Sequence, residues 1–287
     1  MTKPNRLDKK KQKKHERSQA VNADRHILYQ KSVQDTEVEL SLMVEKYKAI
    51  RGREPLSFRE DFCGTALLSV DWCKSLETRT AQGIDLCEET LAWGRKHNLD
   101  PAGDEVVSRV ELKHANVMEV SEPKVDITCA LNFSYSVFKT RDVLRQYFEA
   151  ARKGLKDDGL LMLDIFGGPE AIDTSEEDRE VDDETFEFVW DQDKYNPVTN
   201  EILCHIHFKF DDGSKIEKAF TYDWRLWTIA ELNELLLEAG FSKVHVYWEE
   251  YADDDDDDEY LEGTGNYIEV TEVEQQESWV SYIFAEV

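Results

Sequence analysis

The sequence lacks the cysteine spacings that build disulfide frameworks and zinc sites. Its five cysteines are an odd number, scattered along 287 residues, and none forms a C-x-x-C pair. This usage predicts reduced thiols, a cytoplasmic protein and no bound metal. No window approaches the roughly 18 to 20 apolar residues that a membrane helix requires. No apolar segment follows the basic N-terminus either, so neither a membrane span nor a secretory signal is expected.

Basic side chains are also scarce, and they are unevenly placed. The chain has 35 Lys and Arg against 62 Asp and Glu, which gives a net charge of −27. Residues 1–31 hold 10 basic and 3 acidic side chains, whereas residues 168–287 hold 7 and 35. Because a body this acidic repels nucleic acid and anionic lipid, only the N-terminal tail is expected to attract them. A cationic small molecule or a basic protein segment is the better electrostatic match.

The length suits one large α/β domain with an insertion. Composition and periodicity divide the chain into a disordered basic tail (1–20), N-terminal helices (21–54), an α/β core (55–168), an inserted antiparallel β lid (169–224), and a C-terminal helix with the last strands (225–287), which includes an acidic loop at 253–259. Strands and helices alternate through the core, and the runs 125–131 and 160–166 are almost continuously apolar. This order is typical of parallel strands that are covered on both faces.

The predicted fold is a Rossmann-like, seven-stranded, mostly parallel sheet with helices on both faces. After residue 168 the pattern changes, because an acidic linker at 174–184 precedes three stretches of period-two alternation. Turn residues separate these stretches, so we predict an antiparallel meander inserted after the fifth strand. The next helix is predicted to begin at the N-cap Thr228, with Glu231 completing a capping box.

The segment 57–66 (SFREDFCGTA) predicts a strand, a small-residue turn and a helix. In doubly wound sheets a ligand lies against such a turn. Asp85 follows Gly64 by 21 residues, at the end of the next predicted strand, where a carboxylate can accept both hydroxyl hydrogens of a ribose. Either feature alone is also typical of a surface residue or a helix cap, but together they favour an adenosine-type ligand. A pyrophosphate cofactor such as NAD is disfavoured, because the turn has one glycine and adjacent acids.

Segment 60–66 (EDFCGTA) resembles the D-x-G-C-G-T-G motif of class I S-adenosylmethionine-dependent methyltransferases, and the phrase at 225–241 is similar to a later helix of that family. The resemblance covers roughly residues 55–168 and 225–286. It implies S-adenosylmethionine as cofactor and in-line methyl transfer to nitrogen or oxygen. The cofactor residues that it implies are Glu60 near the methionine amino group, Cys63 and Gly64 in the turn, Asp85 at the ribose, the adjacent Leu86, Asn116 and Val117 beside the adenine, and Asn132 beside the methyl group. Phe62 and Ala66 replace two family glycines.

The catalytic candidates are Asn132 and Tyr135. Segment 132–135 (NFSY) resembles the N-P-P-Y motif of amino-group methyltransferases, without its prolines. The alternative is a strand-end residue that only contacts the cofactor. If the acceptor arrives protonated, a general base is needed, and the other candidates for it are His205, His207 and Tyr222. Tyr29 is predicted either to cover the cofactor, together with Gln34, or to be an ordinary core residue.

The leading hypothesis from the sequence is therefore a methyltransferase that acts on a small molecule or a basic protein segment. The alternative hypothesis is a non-catalytic, methyltransferase-like interaction module with an acidic docking surface. The sequence leaves the methyl acceptor unidentified.

Overall fold

A computed structural model of the chain describes residues 18–182, 184–251 and 263–287. These residues form two compact units. Unit 1 combines the N-terminal segment as far as Asp35 with Ile172–Arg225, and unit 2 combines Thr36–Ala171 with Leu226–Val287. Within the described ranges, no helix is both long and apolar enough to cross a membrane.

The elements are numbered along the described residues. The α-helices are Gln19–Asn22 (α1), Arg25–Val33 (α2), Thr36–Arg51 (α3), Leu67–Ser75 (α4), Glu88–Gly94 (α5), Asp104–Val107 (α6), Arg141–Lys153 (α7) and Ile229–Glu238 (α8). The strands are Ser57–Asp61 (β1), Thr80–Asp85 (β2), Val110–His114 (β3), Val125–Ala130 (β4), Leu155–Gly167 (β5), Glu176–Glu180 (β6), Phe186–Asn196 (β7), Glu201–Phe210 (β8), Lys215–Arg225 (β9), Lys243–Tyr251 (β10), Gly263–Glu269 (β11) and Trp279–Glu286 (β12). Helix α5 continues as a π-helix, Arg95–Leu99.

Unit 2 contains an eight-stranded sheet in the order β11-β10-β12-β5-β4-β1-β2-β3. Strands β1 to β5 pair in parallel, and β12 runs antiparallel to its neighbours β5 and β10. The predicted fold class is confirmed. The sheet has one strand more than predicted, because β11 is a largely exposed edge strand without apolar alternation. Since β1 to β4 are parallel and adjacent, their carboxyl ends bring the loops after them to one edge.

Helices cover both faces of this sheet. On one face, α3 and α4 bury Tyr47 and Trp72. On the other face, α7 and α8 bury Phe148 and Leu235. The capping box of α8 forms as predicted, since the Thr228 side chain accepts a hydrogen bond from the Glu231 amide and the Glu231 side chain accepts one from Thr228. Both faces are therefore closed by amphipathic helices, as the near-continuously apolar central strands require.

Unit 1 contains a four-stranded antiparallel sheet in the order β6-β7-β8-β9. This sheet confirms the predicted meander. Leu28 of α2 packs with Ile206 and Phe208 of β8, and the ring of Tyr29 lies 4.9 Å from that of Phe220. The segment predicted as N-terminal helices is thus shared between the units, with α2 in unit 1 and α3 in unit 2.

Two sequence predictions about polar segments need correction. The acidic linker at 174–184 contains β6, whose five residues are all exposed and pair antiparallel with β7. Backbone hydrogen bonds hold this edge strand, so it forms without an alternation of apolar and polar side chains. The predicted tail at 1–20 overlaps α1, where the Gln19 amide donates to Asp212 Oδ2 at 2.9 Å. Residues 1–17 and the predicted acidic loop at 253–259 lie outside the described residues.

Candidate cofactor and active site

Three residues of the turn after β1 adopt the left-handed backbone conformation that favours glycine. Phe62, Gly64 and Ala66 have φ values of +59°, +51° and +55°. These are the three positions that hold glycine in the family motif. A left-handed conformation costs a non-glycine residue about 1–2 kcal/mol, so Phe62 and Ala66 keep it only because the surroundings enforce it.

Neighbouring elements supply that enforcement. A Cβ atom on Gly83 of β2 would lie 2.9 Å from the Cys63 Sγ, and a Cβ atom on Gly94 of α5 would lie 2.3 Å from the Thr65 oxygen. Asn98 Nδ2 donates to that same Thr65 oxygen at 2.9 Å. The two glycines let β2 and α5 approach the turn so closely that it has no room to relax.

Asp85, at the end of β2, joins the turn to the next loop. Its Oδ2 accepts a hydrogen bond from the Gly64 amide at 2.8 Å, and its Oδ1 accepts one from the Cys87 amide at 2.7 Å. A carboxylate can accept further bonds on both oxygens. The adjacent Leu86 is 65% exposed, so an apolar surface lies beside this carboxylate.

Glu60 is buried, and it caps α4 from the neighbouring strand. The N-cap residue of α4, Ala66, has no side-chain acceptor. Instead, Glu60 Oε2 accepts hydrogen bonds from the Ser69 amide at 3.0 Å and the Ser69 hydroxyl at 2.5 Å. Burial raises the pKa of Glu60 to about 8, although the bonds from Ser69 oppose the rise. The structure thus gives Glu60 a local role in addition to the one that the resemblance implies.

Asp61 is not available as a free negative charge. Its carboxylate accepts hydrogen bonds from Arg59 Nε at 2.6 Å and the Tyr147 hydroxyl at 3.0 Å, and both members of the ion pair are buried. The charge argument from the sequence counted Glu60 and Asp61 as two acids beside the turn. Asp61 is paired with Arg59, and the raised pKa of Glu60 keeps it protonated at neutral pH, so neither supplies a free negative charge. Arg59 Nη2 also donates to the Val117 carbonyl at 2.6 Å, which fixes the segment after β3. In that segment, Asn116 Oδ1 accepts a hydrogen bond from the Met118 amide at 3.0 Å.

The segment after β4 is held by a carboxylate that the sequence analysis missed. Asn132 and Phe133 have φ values of +53° and +56°, and both amides donate to Asp164 of β5. Tyr135 is 1% exposed, and its hydroxyl donates to the Asp164 carbonyl at 2.7 Å. The structure thus places Tyr135 in the core, whereas Asn132 lies at the strand end. The available signal was an aspartate inside an otherwise apolar strand.

The remaining candidates belong to unit 1. His205 is 2% exposed, with Nδ1 2.9 Å from Thr221 Oγ1 and Nε2 3.3 Å from Asp193 Oδ2. His207 Nε2 lies 3.1 Å from Asp191 Oδ2. The other three members of this set are Tyr222, which stacks on Trp224, Tyr29 of α2 and Gln34, the C-cap residue of α2. Throughout the described ranges, no group of three or more His, Cys, Asp and Glu residues is arranged to hold a metal ion.

Comparison with known proteins finds similar structures but no match by sequence. No family model matches the chain, and no curated protein matches it. Among solved structures, an S-adenosylmethionine-dependent methyltransferase from Clostridium acetobutylicum aligns with a TM-score of 0.64 and 14% identity over 91% of this chain and 97% of that one. CalS10, an amino pentose methyltransferase from Micromonospora echinaspora solved with S-adenosylmethionine, gives 0.63 and 14% over 91% and 95%. The sugar N-methyltransferase KedS8 from Streptoalloteichus gives 0.57 and 14% over 91% and 92%.

The chain has the fold of the class I S-adenosylmethionine-dependent methyltransferases. In this methyltransferase fold, most of the predicted cofactor residues lie at the carboxyl ends of β1 to β4, which is the side on which doubly wound sheets bind ligands. The loops after β1, β2, β3 and β4 carry these residues, namely Cys63, Gly64, Leu86, Asn116, Val117 and Asn132, while Glu60 and Asp85 lie at the ends of β1 and β2. Tyr29 belongs to the other unit.

Proposed function

We propose that the protein is an S-adenosylmethionine-dependent methyltransferase that methylates an amino nitrogen of a small molecule. The observation that carries this proposal is the turn at 62–66, which keeps three left-handed residues and binds Asp85 through its central amide. In doubly wound sheets a ligand lies against such a turn, and Asp85 presents acceptors for the hydroxyls of a ribose.

The residues at this edge fit the cofactor. A Cβ atom added to Gly64 would meet only Thr90, at 3.9 Å, so the space over the turn is open. Leu86 offers an exposed apolar surface for an adenine, and Asn116 is partly exposed beside the buried Val117. S-adenosylmethionine supplies a methyl group on a positively charged sulfur. The protein's part is to align the acceptor with that group, since alignment contributes on the order of 7 to 11 kcal/mol in the best cases.

An amine acceptor is supported by two observations. The named similar structures include an amino pentose methyltransferase and a sugar N-methyltransferase. The protein is also strongly acidic, and acidic surfaces concentrate cationic amines. The ammonium must first lose a proton to solvent water. The side-chain carbonyl oxygen of Asn132, at the end of β4, can then accept an N–H hydrogen of the neutral amine and so orient the lone pair of its nitrogen. We propose a small-molecule amine as the acceptor rather than a basic protein segment, because two of the named structures are described as methyltransferases of sugars.

Calorimetry with S-adenosylhomocysteine tests the cofactor site. The wild type should bind it, and Asp85→Ala should weaken binding at least about tenfold, which is about 1.4 kcal/mol. Glu111→Ala is the matched control, because Glu111 is an exposed acid on β3 that pairs with Lys113. Absence of binding to the wild type, or equal weakening by both substitutions, would refute the proposal.

A second experiment locates the cofactor without a substitution. Cys87 is exposed, whereas the other four cysteines are buried. Its amide is bonded to Asp85, so Cys87 lies beside the proposed ribose position and we expect a ligand there to cover its thiol. Saturating S-adenosylhomocysteine should therefore slow the modification of Cys87 by a thiol reagent. An unchanged rate would place the cofactor elsewhere.

The acceptor is tested with labelled S-adenosylmethionine and two panels, amino sugars and lysine-rich peptides. We expect label in the amino sugars. Exclusive labelling of the peptides would overturn the assignment of the acceptor but not that of the cofactor.

A further inference from the structure

The backbone after β4 adopts a conformation that its residues disfavour. Asn132 and Phe133 are both left-handed, with φ values of +53° and +56°. Asparagine tolerates this region, but phenylalanine does so at a cost of about 1–2 kcal/mol. Because two successive residues share the conformation, an interaction from outside the segment must hold it.

Asp164 supplies that interaction. The Asn132 amide donates to Oδ2 at 2.7 Å, and the Phe133 amide donates to Oδ1 at 2.9 Å. The third bond runs from the Tyr135 hydroxyl to the Asp164 carbonyl at 2.7 Å. One residue of β5 thus binds three groups of the segment 132–135. Hydrogen bonds from amides to a carboxylate are stronger than those to a neutral acceptor.

Asp164 itself has little freedom to move. It is 6% exposed and lies in a strand flanked by β4 and β12, opposite Tyr282. Among the described residues, Cys129 of β4, Tyr282 of β12 and Tyr135 of the segment are titratable groups that the charge of Asp164 reaches. Burial raises the pKa of each, so all three are neutral. The charge of Asp164 is therefore stabilised chiefly by the backbone amides that it holds.

We infer that Asp164 is a positioning residue for methyl transfer, which holds Asn132 at the end of β4 through the two backbone amides. This inference rests on the proposed function. Asp164 does not touch the reacting atoms, since it acts through Asn132. A misplacement of about 1 Å at such a position can cost about a hundredfold in rate. The effect should fall on turnover far more than on cofactor binding, because Asn132 is one of several residues at the cofactor, and the β1 turn and Asp85 do not contact this segment through the bonds described.

The carboxylate form is the one that holds both amides. Burial raises the pKa of Asp164 to about 7, while the bonds from the Phe133 and Asn132 amides oppose the rise. Protonation removes the charge and turns one oxygen into a donor. In the wild type, the amide proton shifts of Asn132 and Phe133 should therefore move together as the pH crosses the pKa of Asp164, which NMR with residue-selective ¹⁵N labelling measures.

The substitution Asp164→Asn tests the role directly. It keeps the shape but aims an N–H group at one of the two amides. With the most active amino sugar of the panel, turnover should fall at least about tenfold, while the Kd of S-adenosylhomocysteine should stay within about threefold. Circular dichroism checks that the variant folds, and the titration of the wild type needs no variant at all.

A rescue experiment separates positioning from general stability. Phe133→Gly and Phe133→Ala both remove the ring, but only glycine removes the cost of the left-handed backbone. Added to Asp164→Asn, glycine should restore turnover by at least about threefold relative to alanine.

The outcomes are distinguishable. If the wild type binds no S-adenosylhomocysteine, the proposed function itself fails. If it binds, but Asp164→Asn keeps wild-type turnover and wild-type amide shifts, only the positioning role is wrong. Equal turnover with glycine and alanine at position 133 would likewise exclude a role through the backbone conformation.

Discussion

Buried carboxylates lie at both edges of the eight-stranded sheet, but their environments differ. At the amino-terminal edge, the Asp126 side chain is fully buried and accepts hydrogen bonds from Arg53 Nη2 at 2.7 Å and Lys156 Nζ at 3.0 Å. The amides of Leu56 and Ser57 donate to its other oxygen. Burial opposes the charge, yet the hydrogen bonds from Arg53, these two amides and Lys156 outweigh it and hold the pKa of Asp126 well below its usual range.

At the carboxyl-terminal edge the balance is reversed. Glu60 and Asp164 are also buried, but no cation is among the hydrogen-bond partners described for their carboxylates. These partners are backbone amides and one serine hydroxyl. Burial therefore prevails and raises the pKa of Glu60 to about 8 and that of Asp164 to about 7. The comparison teaches that Asp126 contributes to stability at one edge, whereas Glu60 and Asp164 reduce stability at the other edge and hold the backbone of the candidate site.

The largest effect is expected at the stabilising edge. Asp126→Asn leaves Arg53 and Lys156 without their buried partner, so the free energy of unfolding should fall by about 3 kcal/mol in urea titrations. Asp158→Asn is the control, because Asp158 also binds Arg53 at 2.7 Å but is 47% exposed. It should cost less than about 1 kcal/mol. Equal losses would show that burial is not what distinguishes Asp126.

A somewhat smaller loss of stability is expected at the turn after β1. Gly94→Ala places a methyl group against the Thr65 backbone, which cannot yield as a flexible side chain would. The free energy of unfolding should fall by about 2 kcal/mol, and the Kd of S-adenosylhomocysteine should rise. Glu89→Ala, on the exposed side of the same helix, should change stability by less than about 0.5 kcal/mol. A fully stable Gly94→Ala variant would mean that the turn is not held from outside.

The third prediction is that Glu60→Gln stabilises the protein by an amount that depends on pH. Because the folded-state pKa of Glu60 is raised from its ordinary 4.5 to about 8, the folded state holds a proton that the unfolded state releases. The wild type therefore loses stability as the pH rises from 4.5 to 8. Glu60→Gln keeps an acceptor for Ser69 but cannot ionise, so it should be about 1 kcal/mol more stable at the upper end, or about 2–4 °C in Tm.

The measurement for Glu60 is Tm as a function of pH for both proteins. Their difference should widen from pH 5 to pH 8, since the effect of Asp164 is common to both and cancels. A constant difference would mean that Glu60 is already ionised in the fold. Glu111→Gln, at an exposed position, should show no such trend.

The smallest effect is expected at Ala66. Glycine removes the cost of its left-handed backbone but increases the freedom of the unfolded chain, so Ala66→Gly should stabilise by only about 0.5 kcal/mol. Ala151→Gly, in the buried part of α7, should instead destabilise by about 1 kcal/mol. Parallel urea titrations compare the two variants, and a loss of stability in both would contradict the strain assigned to the turn.

Much of the architecture was predictable because it depends on local pattern. The apolar runs of β4 and β5, the capping box at Thr228 and the spacing from Gly64 to Asp85 are all readable along the chain. Strands β6 and β11 were not predicted. They are exposed edge strands that backbone pairing holds in place, so their side chains carry no alternation.

The site was predictable in location but not in electrostatics. The pairing of Arg59 with Asp61 was missed, although the two residues are only two apart, because the length of the arginine side chain and the burial of the strand decide it. Asp164 was missed because its partners are 31 and 32 residues away in sequence. Gly83 and Gly94 were missed because a close approach between elements leaves no mark in the local sequence.

Apart from β6 and β11, the sequence by itself determined the order of strands and helices, the inserted meander and the position of the turn at 60–66, because periodicity and turn chemistry act over a few residues. Only the tertiary structure decided which buried carboxyl groups have a lowered pKa and which have a raised one. That outcome depends on whether a cation or a backbone amide from a distant segment faces each one. The same residue type, aspartate, therefore stabilises the fold at position 126 and holds a disfavoured backbone at position 164.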